Sequence, residues 1–207
     1  MKKARRIVAR EAAFILYKGE EKEYLQAKRR AARNLGLNVL PTNLEVAEEL
    51  DRVADEMEET DRQSRLIEMR KEALKIMELL GDFHPRLIGS VWRGTARRNS
   101  DIDINIYHPE PLKALKTIVE RGIKETKIEW KTVKNGKKTK TVPHIYTKSP
   151  SGYTIELMVR DLEELEKPGV CEIYGDRITG LNEERLKEVL EKEPLKKFVP
   201  HRKLHGV

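Results

Sequence analysis

The 207-residue chain is 38% hydrophobic and 37% charged, with a formal net charge of +7. That composition excludes a disordered chain and leaves room for one sizeable core with a smaller helical part beside it. Cys171 is the sole cysteine, which excludes an intrachain disulfide and a zinc site built on several thiolates, and suits a reducing, cytoplasmic setting. The positive charge permits a polyanionic partner, with ordinary solubilising charge as the alternative.

Basic residues ahead of the apolar run from Ala12 to Tyr17 imitate a signal peptide. Arg10 and Glu11 interrupt the pattern, the run is too short, and no other apolar stretch approaches membrane-spanning length, so no membrane partner is expected. Residues 1–81 read as an all-helical N-terminal region, because apolar residues recur at helical spacing without strand-like alternation. One helix covers Ala4 to Lys18 and a second Glu21 to Leu35, before Gly36 and Pro41 punctuate the chain. Thr42 or Asn43 can cap a helix carrying Val46, Leu50, Val53 and Met57. A further helix presents Leu66, Ile67, Leu74, Ile76, Met77 and Leu80. The first helices carry Arg5, Arg6, Arg10, Lys28, Arg29, Arg30 and Arg33, while the third is acidic, so pairing between helices competes with nucleic-acid binding as the reason for the basic stretch.

From Phe83 the period changes, and residues 82–192 read as a second domain followed by a basic tail, 193–207. Pro85 to Ile88 is a short strand, Val91 to Arg97 a turn or short helix, and Asp101 to Tyr107 a strand alternating acid or polar residues with isoleucine. Pro111 to Arg121 is a helix. Lys127 to Val133 and Lys138 to Tyr146 flank Asn135-Gly136, a hairpin signal. A strand from Tyr153 to Arg160, a short strand from Glu172 to Ile178 and a helix from Asn182 to Glu191 complete the domain.

In a strand, residues i and i+2 share a face, roughly 6–7 Å apart. Asp101 and Asp103 therefore stand together opposite Ile102, Ile104 and Ile106. Two close carboxylates with no base between them repel, and a divalent cation relieves that repulsion. A solvent-facing strand with two ordinary acids is the alternative. Just upstream, Gly89-Ser90 offers backbone N–H groups and a hydroxyl to a phosphate, and Gly94 allows close backbone approach. Arg93, Arg97 and Arg98 add guanidinium groups suited to phosphate oxygens. In TIELMV, Glu156 shares a face with Thr154 and Met158; its alternative role is a surface acid paired with a hairpin lysine. Trp92 could stack on a base or pack the short helix on the sheet. Trp130 and Tyr146 lie among Lys127, Lys131, Lys134, Lys137, Lys138 and Lys140, which could track a nucleic-acid backbone or form a solvated hairpin. The five histidines fall at no metal-binding spacing.

The run GSVWRGTARRNSDID, Gly89 to Asp103, resembles the signature of the DNA polymerase β-like nucleotidyltransferase superfamily, and looks most like its minimal nucleotidyltransferase branch. The resemblance implies an α+β fold: a mixed β-sheet flanked by helices, with residues 82–192 as the catalytic domain. It also implies a two-metal reaction. Asp101 and Asp103 would bridge Mg²⁺ or Mn²⁺ ions, and Glu156, where the family most often has Asp, would ligate the ion that acidifies an acceptor hydroxyl. Asp161 is the second choice for that third acid. Ser90 and the Gly89 backbone would hold the β- and γ-phosphates of an NTP, with Arg93 and Arg97 neutralising further charge. The implied function is transfer of a nucleoside monophosphate from an NTP to an acceptor, with RNA as one acceptor. The same transfer onto a protein partner, as in an adenylylating antitoxin, is a second reading. A non-catalytic nucleotide- or RNA-binding descendant is a third, disfavoured by the intact acidic pair.

Overall fold

The computed structural model describes residues 2–135 and 138–200, without the side chains at 133–135, 138 and 140. It divides the chain into two units, residues 1–62 with 171–175, and residues 63–170 with 176–207. The expected Asn135-Gly136 turn, the side chains of Lys134, Lys137, Lys138 and Lys140, and the tail from residue 201 lie outside the described residues. Among those described, no helix is long and apolar enough to cross a membrane.

The first unit begins with α1 (Lys2–Tyr17) and α2 (Tyr24–Asn34), and takes in the first part of α3 (Asn43–Leu79). Val8, Ala12, Ile15 and Leu16 of α1 recur at helical spacing and bury against Ala27 and Ala31 of α2 and Val46, Leu50 and Val53 of α3. The many alanines on these faces let the backbones approach closely. Thr42 caps α3: its hydroxyl accepts from the Glu45 N–H at 3.1 Å, and the Glu45 carboxylate accepts from the Thr42 N–H at 2.7 Å. The charge pattern resolves in favour of pairing between helices for two of the arginines. Arg5 pairs with Glu45 at 2.7 Å, and Arg10 with Glu56 at 2.6 Å and Glu49 at 3.6 Å.

Helix α3 is interrupted at Glu59, whose φ of 45° and ψ of −128° are not helical, so the two helices read from the sequence are distinct. The second of them joins the second unit. Its Leu66, Met69, Ala73, Met77 and Leu80 share one core with the sheet, so the helical region 1–81 is not one body.

That sheet comprises β1 (Arg86–Ile88), β2 (Ile102–Tyr107), β3 (Glu125–Asn135), β4 (Lys138–Lys148) and β5 (Thr154–Arg160), in the order β1-β2-β5-β4-β3. β2 and β5 run parallel, and the other neighbours are antiparallel. The mixed α+β architecture expected from the sequence is the one observed. Ile102, Ile104 and Ile106 of β2, Ile145 of β4, and Ile155, Leu157 and Val159 of β5 form the core face. They pack with Ala114 and Ile118 of α5 (Pro111–Glu120) and Leu186 and Val189 of α7 (Glu183–Lys192).

Two expectations are corrected. Residues 172–178 form turns rather than a strand: the chain doubles back so that Val170 meets Arg177 in an isolated bridge, and the Ile178 N–H donates to the Gly169 carbonyl at 2.9 Å. A short helix the sequence did not announce, α6 (Leu162–Glu166), starts at Asp161, whose side chain caps it in a reciprocal box with Glu164. Asp161 thereby has a local task that its position just past the alternating strand did not suggest.

Residues 194–198 do not hang free as a tail. Arg70, fully buried, donates from Nε to the Val91 carbonyl at 3.2 Å and from Nη1 to Pro194 at 2.7 Å. Its Nη2 donates to Trp92 at 3.0 Å and Lys196 at 2.9 Å. One guanidinium thus satisfies carbonyls at the end of α4 (Gly89–Arg93) and on the C-terminal strap together. Arg70→Met keeps the apolar bulk and removes all five donors, orphaning buried carbonyls. It is expected to cost about 3 kcal/mol or more in urea unfolding; a variant within experimental error of wild type would show that water can replace the guanidinium.

Candidate active site

β2 enters the sheet immediately after Asp101, and its register sets the site. Asp103 lies beside Ile88 of β1 on one side and Glu156 of β5 on the other, Glu156 lies beside Tyr146 of β4, and Tyr146 beside Lys127 of β3. Because alternate residues share a face, Asp101, Asp103, Glu156 and Tyr146 all stand on the side opposite the isoleucine core. The structure thus brings together the three acids singled out in the sequence. Asp101 is exposed and takes a hydrogen bond from the Thr154 hydroxyl, and Asp103 is half-buried.

The electrostatics of this row are strained in a defined direction. Burial, then the charges of Glu156 and Asp101, push the Asp103 carboxyl up to about 7. Burial raises Asp101 as well, with Glu156 adding to it. Glu156 goes the other way. Despite its own burial it is held below the usual carboxylate range by donors from His144, Tyr146 and Lys131. All three reach one oxygen, Oε1: His144 Nδ1 at 2.5 Å, the Tyr146 hydroxyl at 2.8 Å and Lys131 Nζ at 3.1 Å.

Gly89 adjoins this row. Its φ is +67°, and a Cβ placed there would lie 2.0 Å from Asp103 Oδ2, so only glycine admits the aspartate at this point. Ser90 follows on the first turn of α4, half-buried. The phosphate-cradle residues and the acidic pair read from the sequence are therefore neighbours in space. Gly94 also makes the close approach expected of it, but to the chain's own strap: a Cβ there would meet the Lys196 carbonyl oxygen at 2.8 Å.

The arginines separate. Arg93 is corrected as a phosphate contact. It is buried, its Nη1 and Nη2 donate to the two Asp176 oxygens at 2.8 and 2.7 Å, Nη1 also donates to the Phe198 carbonyl at 2.9 Å, and the guanidinium stacks on Trp92 at 4.2 Å. A fork filled by a carboxylate is not open to a phosphate. Trp92 is itself 4% exposed and belongs to the core, so of its two readings packing holds. Arg97 is half-buried, with a buried Nε that has no partner among the described residues, and it remains the arginine suited to a phosphate. Arg98 is exposed.

His144 was missed as a site residue; Tyr146 and Lys131 were read only as nucleic-acid or hairpin residues, and the alternative of a hairpin lysine paired with Glu156 is met by Lys131 at 3.1 Å. Their spacing carries no motif, and only the register of β3, β4 and β5 aligns them with Glu156.

Among the described residues no three His, Cys, Asp or Glu side chains close around one point as a metal cage. The donor set nonetheless fits a hard divalent cation. Two carboxylate-bearing side chains share a face, and burial together with the neighbouring negative charges drives one of them toward neutrality, a penalty that a bound cation would relieve.

Residues 70–168 match the model of the nucleotidyltransferase domain family. Among solved structures, a cytoplasmic RNA terminal U-transferase is 15% identical over 57% of this chain and 34% of its own, with a TM-score of 0.31. Cid1, described for its RNA terminal uridylyl transferase activity, is 16% identical over 57% and 38%, with a TM-score of 0.34. Cid1 in complex with the UTP analogue UMPNPP is 15% identical over 46% and 31%, with a TM-score of 0.30. This chain spans about a third of the length of those proteins. No curated protein matches the sequence.

The raised carboxyl makes a prediction with a definite sign. Between about pH 4, where an unfolded aspartate titrates, and about pH 7, the folded metal-free protein keeps a proton on Asp103 that the unfolded chain has released. Stability from this group therefore rises as pH falls from 7 toward 4 and is lowest above 7. Asp103→Asn should be about 2 kcal/mol more stable than wild type at pH 8 without metal. Mg²⁺ or Mn²⁺ should close that gap by stabilising wild type alone. Parallel pH–stability curves for the two proteins, measured by chemical denaturation, would refute the strain at Asp103.

Proposed function

We propose that the protein, whose residues 70–168 match the nucleotidyltransferase domain family model, transfers a nucleoside monophosphate from an NTP to an acceptor hydroxyl with release of pyrophosphate, and that the acceptor is RNA. The observation that carries the reading is the lateral pairing of Asp103 with Glu156 on the open sheet face, with Gly89 pressed against Asp103.

Asp101 and Asp103 are the residues to hold the cations, with Glu156 as the third carboxylate of the site. A divalent cation bound there, Mg²⁺ or Mn²⁺, supplies positive charge against the triphosphate and acidifies the acceptor hydroxyl. In this reading Ser90 and the Gly89 backbone bind the β- and γ-phosphates, and Arg97 adds positive charge. The acceptor oxygen forms its bond to the α-phosphorus as the bond from that phosphorus to the bridging oxygen breaks. The electron pair leaves with pyrophosphate, and the hydroxyl proton passes to water. The protein's contribution is chiefly orientation, with Gly89 fixing the distance between the phosphate-binding turn and Asp103.

An RNA acceptor is supported by the cations bordering the acids. Lys127, Lys131 and Lys148 stand on the same sheet face as Asp103 and Glu156, on the β4–β3 side; Lys127 and Lys131 are partly offset there by Glu129 and Glu156, whereas Lys148 donates to the neutral Thr154 hydroxyl at 2.8 Å. A polyanion arriving from that side meets positive charge before it meets the carboxylates.

The test is incubation of the full chain with each labelled NTP, Mg²⁺ or Mn²⁺, and cell extract, followed by separation of labelled RNA from labelled protein. Asp101→Asn and Asp103→Asn should each lower transfer by about a thousandfold while remaining folded, since an amide is a poor substitute for a bridging carboxylate. Full activity in both variants would remove the mechanism. Label entering protein alone would retain the chemistry and replace the acceptor.

A further inference from the structure

We propose that His144, Tyr146 and Lys131 are positioning residues that saturate Oε1 of Glu156, so that this third carboxylate serves the reaction through Oε2 alone. The proposal rests on the nucleotidyl-transfer reading and names how the chain equips its own variant of the site.

A carboxylate offers about four lone-pair directions over two oxygens. Here three donors converge on Oε1, while among the described residues no hydrogen bond reaches Oε2. Each donor arrives by a different route. Tyr146 is the lateral neighbour of Glu156, and His144, two residues away on the same face of β4, is the neighbour of Met158. Lys131 comes from β3, opposite Val142, and crosses β4 to reach β5. Its ammonium lies 5.5 Å from the centre of the Tyr146 ring and donates to the Tyr146 oxygen at 2.7 Å. An ionised carboxylate only accepts, so His144 carries its proton on Nδ1. The ring is 6% exposed, and its Nε2 has no partner among the described residues. The histidine is fixed by packing and by this one bond.

The arrangement answers a physical problem peculiar to this sequence. Glutamate has one more rotatable bond than aspartate, so a glutamate in this role places its carboxylate less precisely unless something else orders it. Three donors on one oxygen remove that freedom. They also make two-oxygen chelation costly, because Oε1 would have to shed a charged and two neutral hydrogen bonds. The Lys131 charge offsets that of Glu156, which moderates the repulsion within the acidic row and weakens the pull of the row on a cation.

The experiment measures Mn²⁺ binding to the full-length protein by electron paramagnetic resonance, alongside steady-state transfer from NTP. It compares wild type, Lys131→Met, Lys131→Arg, Tyr146→Phe, Glu156→Gln and the Lys131→Met/Glu156→Gln double variant. Lys131→Met should bind Mn²⁺ roughly threefold or more tighter, because a competing positive charge is gone, while kcat falls about tenfold because Oε1 is less firmly held. Lys131→Arg should restore both. Tyr146→Phe, which removes only a hydroxyl, should lower kcat by about fivefold at unchanged NTP KM. In the Glu156→Gln background, Lys131→Met should no longer tighten Mn²⁺. A lysine that merely supports the fold would weaken metal binding and turnover together.

Unchanged or weaker Mn²⁺ binding in Lys131→Met, or equal tightening without Glu156, overturns the proposal. Should Lys131→Met fail to fold, an unchanged kcat in Tyr146→Phe overturns it equally. A wild type that neither binds Mn²⁺ nor transfers nucleotide removes the functional reading along with it. A wild type that does both but lacks the coupling removes only this inference.

Discussion

Repulsion among carboxylates is the constraint on which the site depends. The parallel pairing of β2 with β5 sets Asp103 directly beside Glu156, with the exposed Asp101 one alternation away, and half-burial denies Asp103 and Glu156 the water that would screen them. The chain divides the burden unequally. Glu156 is kept ionised by three donors from the neighbouring hairpin, whereas Asp103 receives no comparable support and is pushed up to about 7. Such an imbalance is characteristic of groups arranged for a ligand rather than for stability, since hydrophobic replacements would satisfy the fold at lower cost.

That row could not form without close packing behind it. Asp103 fits only because residue 89 lacks a Cβ, and Gly89 opens a helix of five residues that could not hold its own position. Its position is set from the other end. Arg70 and Arg93, both buried, connect the last turn of α4 to the strap at Pro194–Phe198, and Asp176 closes the fork of Arg93. Two arginines of this unit are thus structural. The turn at Gly89-Ser90 is held because the far end of its helix is tied down through hydrogen bonds to charged donors, which are stronger than neutral ones.

In the first unit the arginines of α1 have a different use. Arg5 and Arg10 meet Glu45, Glu49 and Glu56 of the acidic helix. Exposed pairs of this kind contribute little stability each, under about 1 kcal/mol, but they penalise helix registers that would bring like charges together. Net positive charge read along the sequence therefore overstates the cationic surface available to a polyanion. On the acid-bearing face, too, Lys127 and Lys131 of β3 are partly offset by Glu129 and Glu156.

The sequence by itself determined whatever depends on short-range periodicity and local stereochemistry. Alternation over Ile102–Tyr107 separated core from acids, helical spacing located the helices, and Gly89-Ser90 followed by Asp101 and Asp103 marked residues that the fold brings side by side. The choice of Glu156 over Asp161 also lay in local pattern, because only Glu156 falls in phase with the strand, and Asp161 proved to be a helix cap. Tertiary structure alone decided the rest. Whether an arginine faces a phosphate or an aspartate of its own chain depends on Asp176, 83 residues away from Arg93, and no local pattern encodes such a meeting. His144 and Tyr146 became partners of Glu156 only through the pairing of β4 with β5, and Lys131 through the further pairing of β3 with β4. Strand register is a long-range property set by the packing of whole faces, and a one-residue slip of β5 against β2 would have put Glu156 and Asp103 on opposite faces of the sheet.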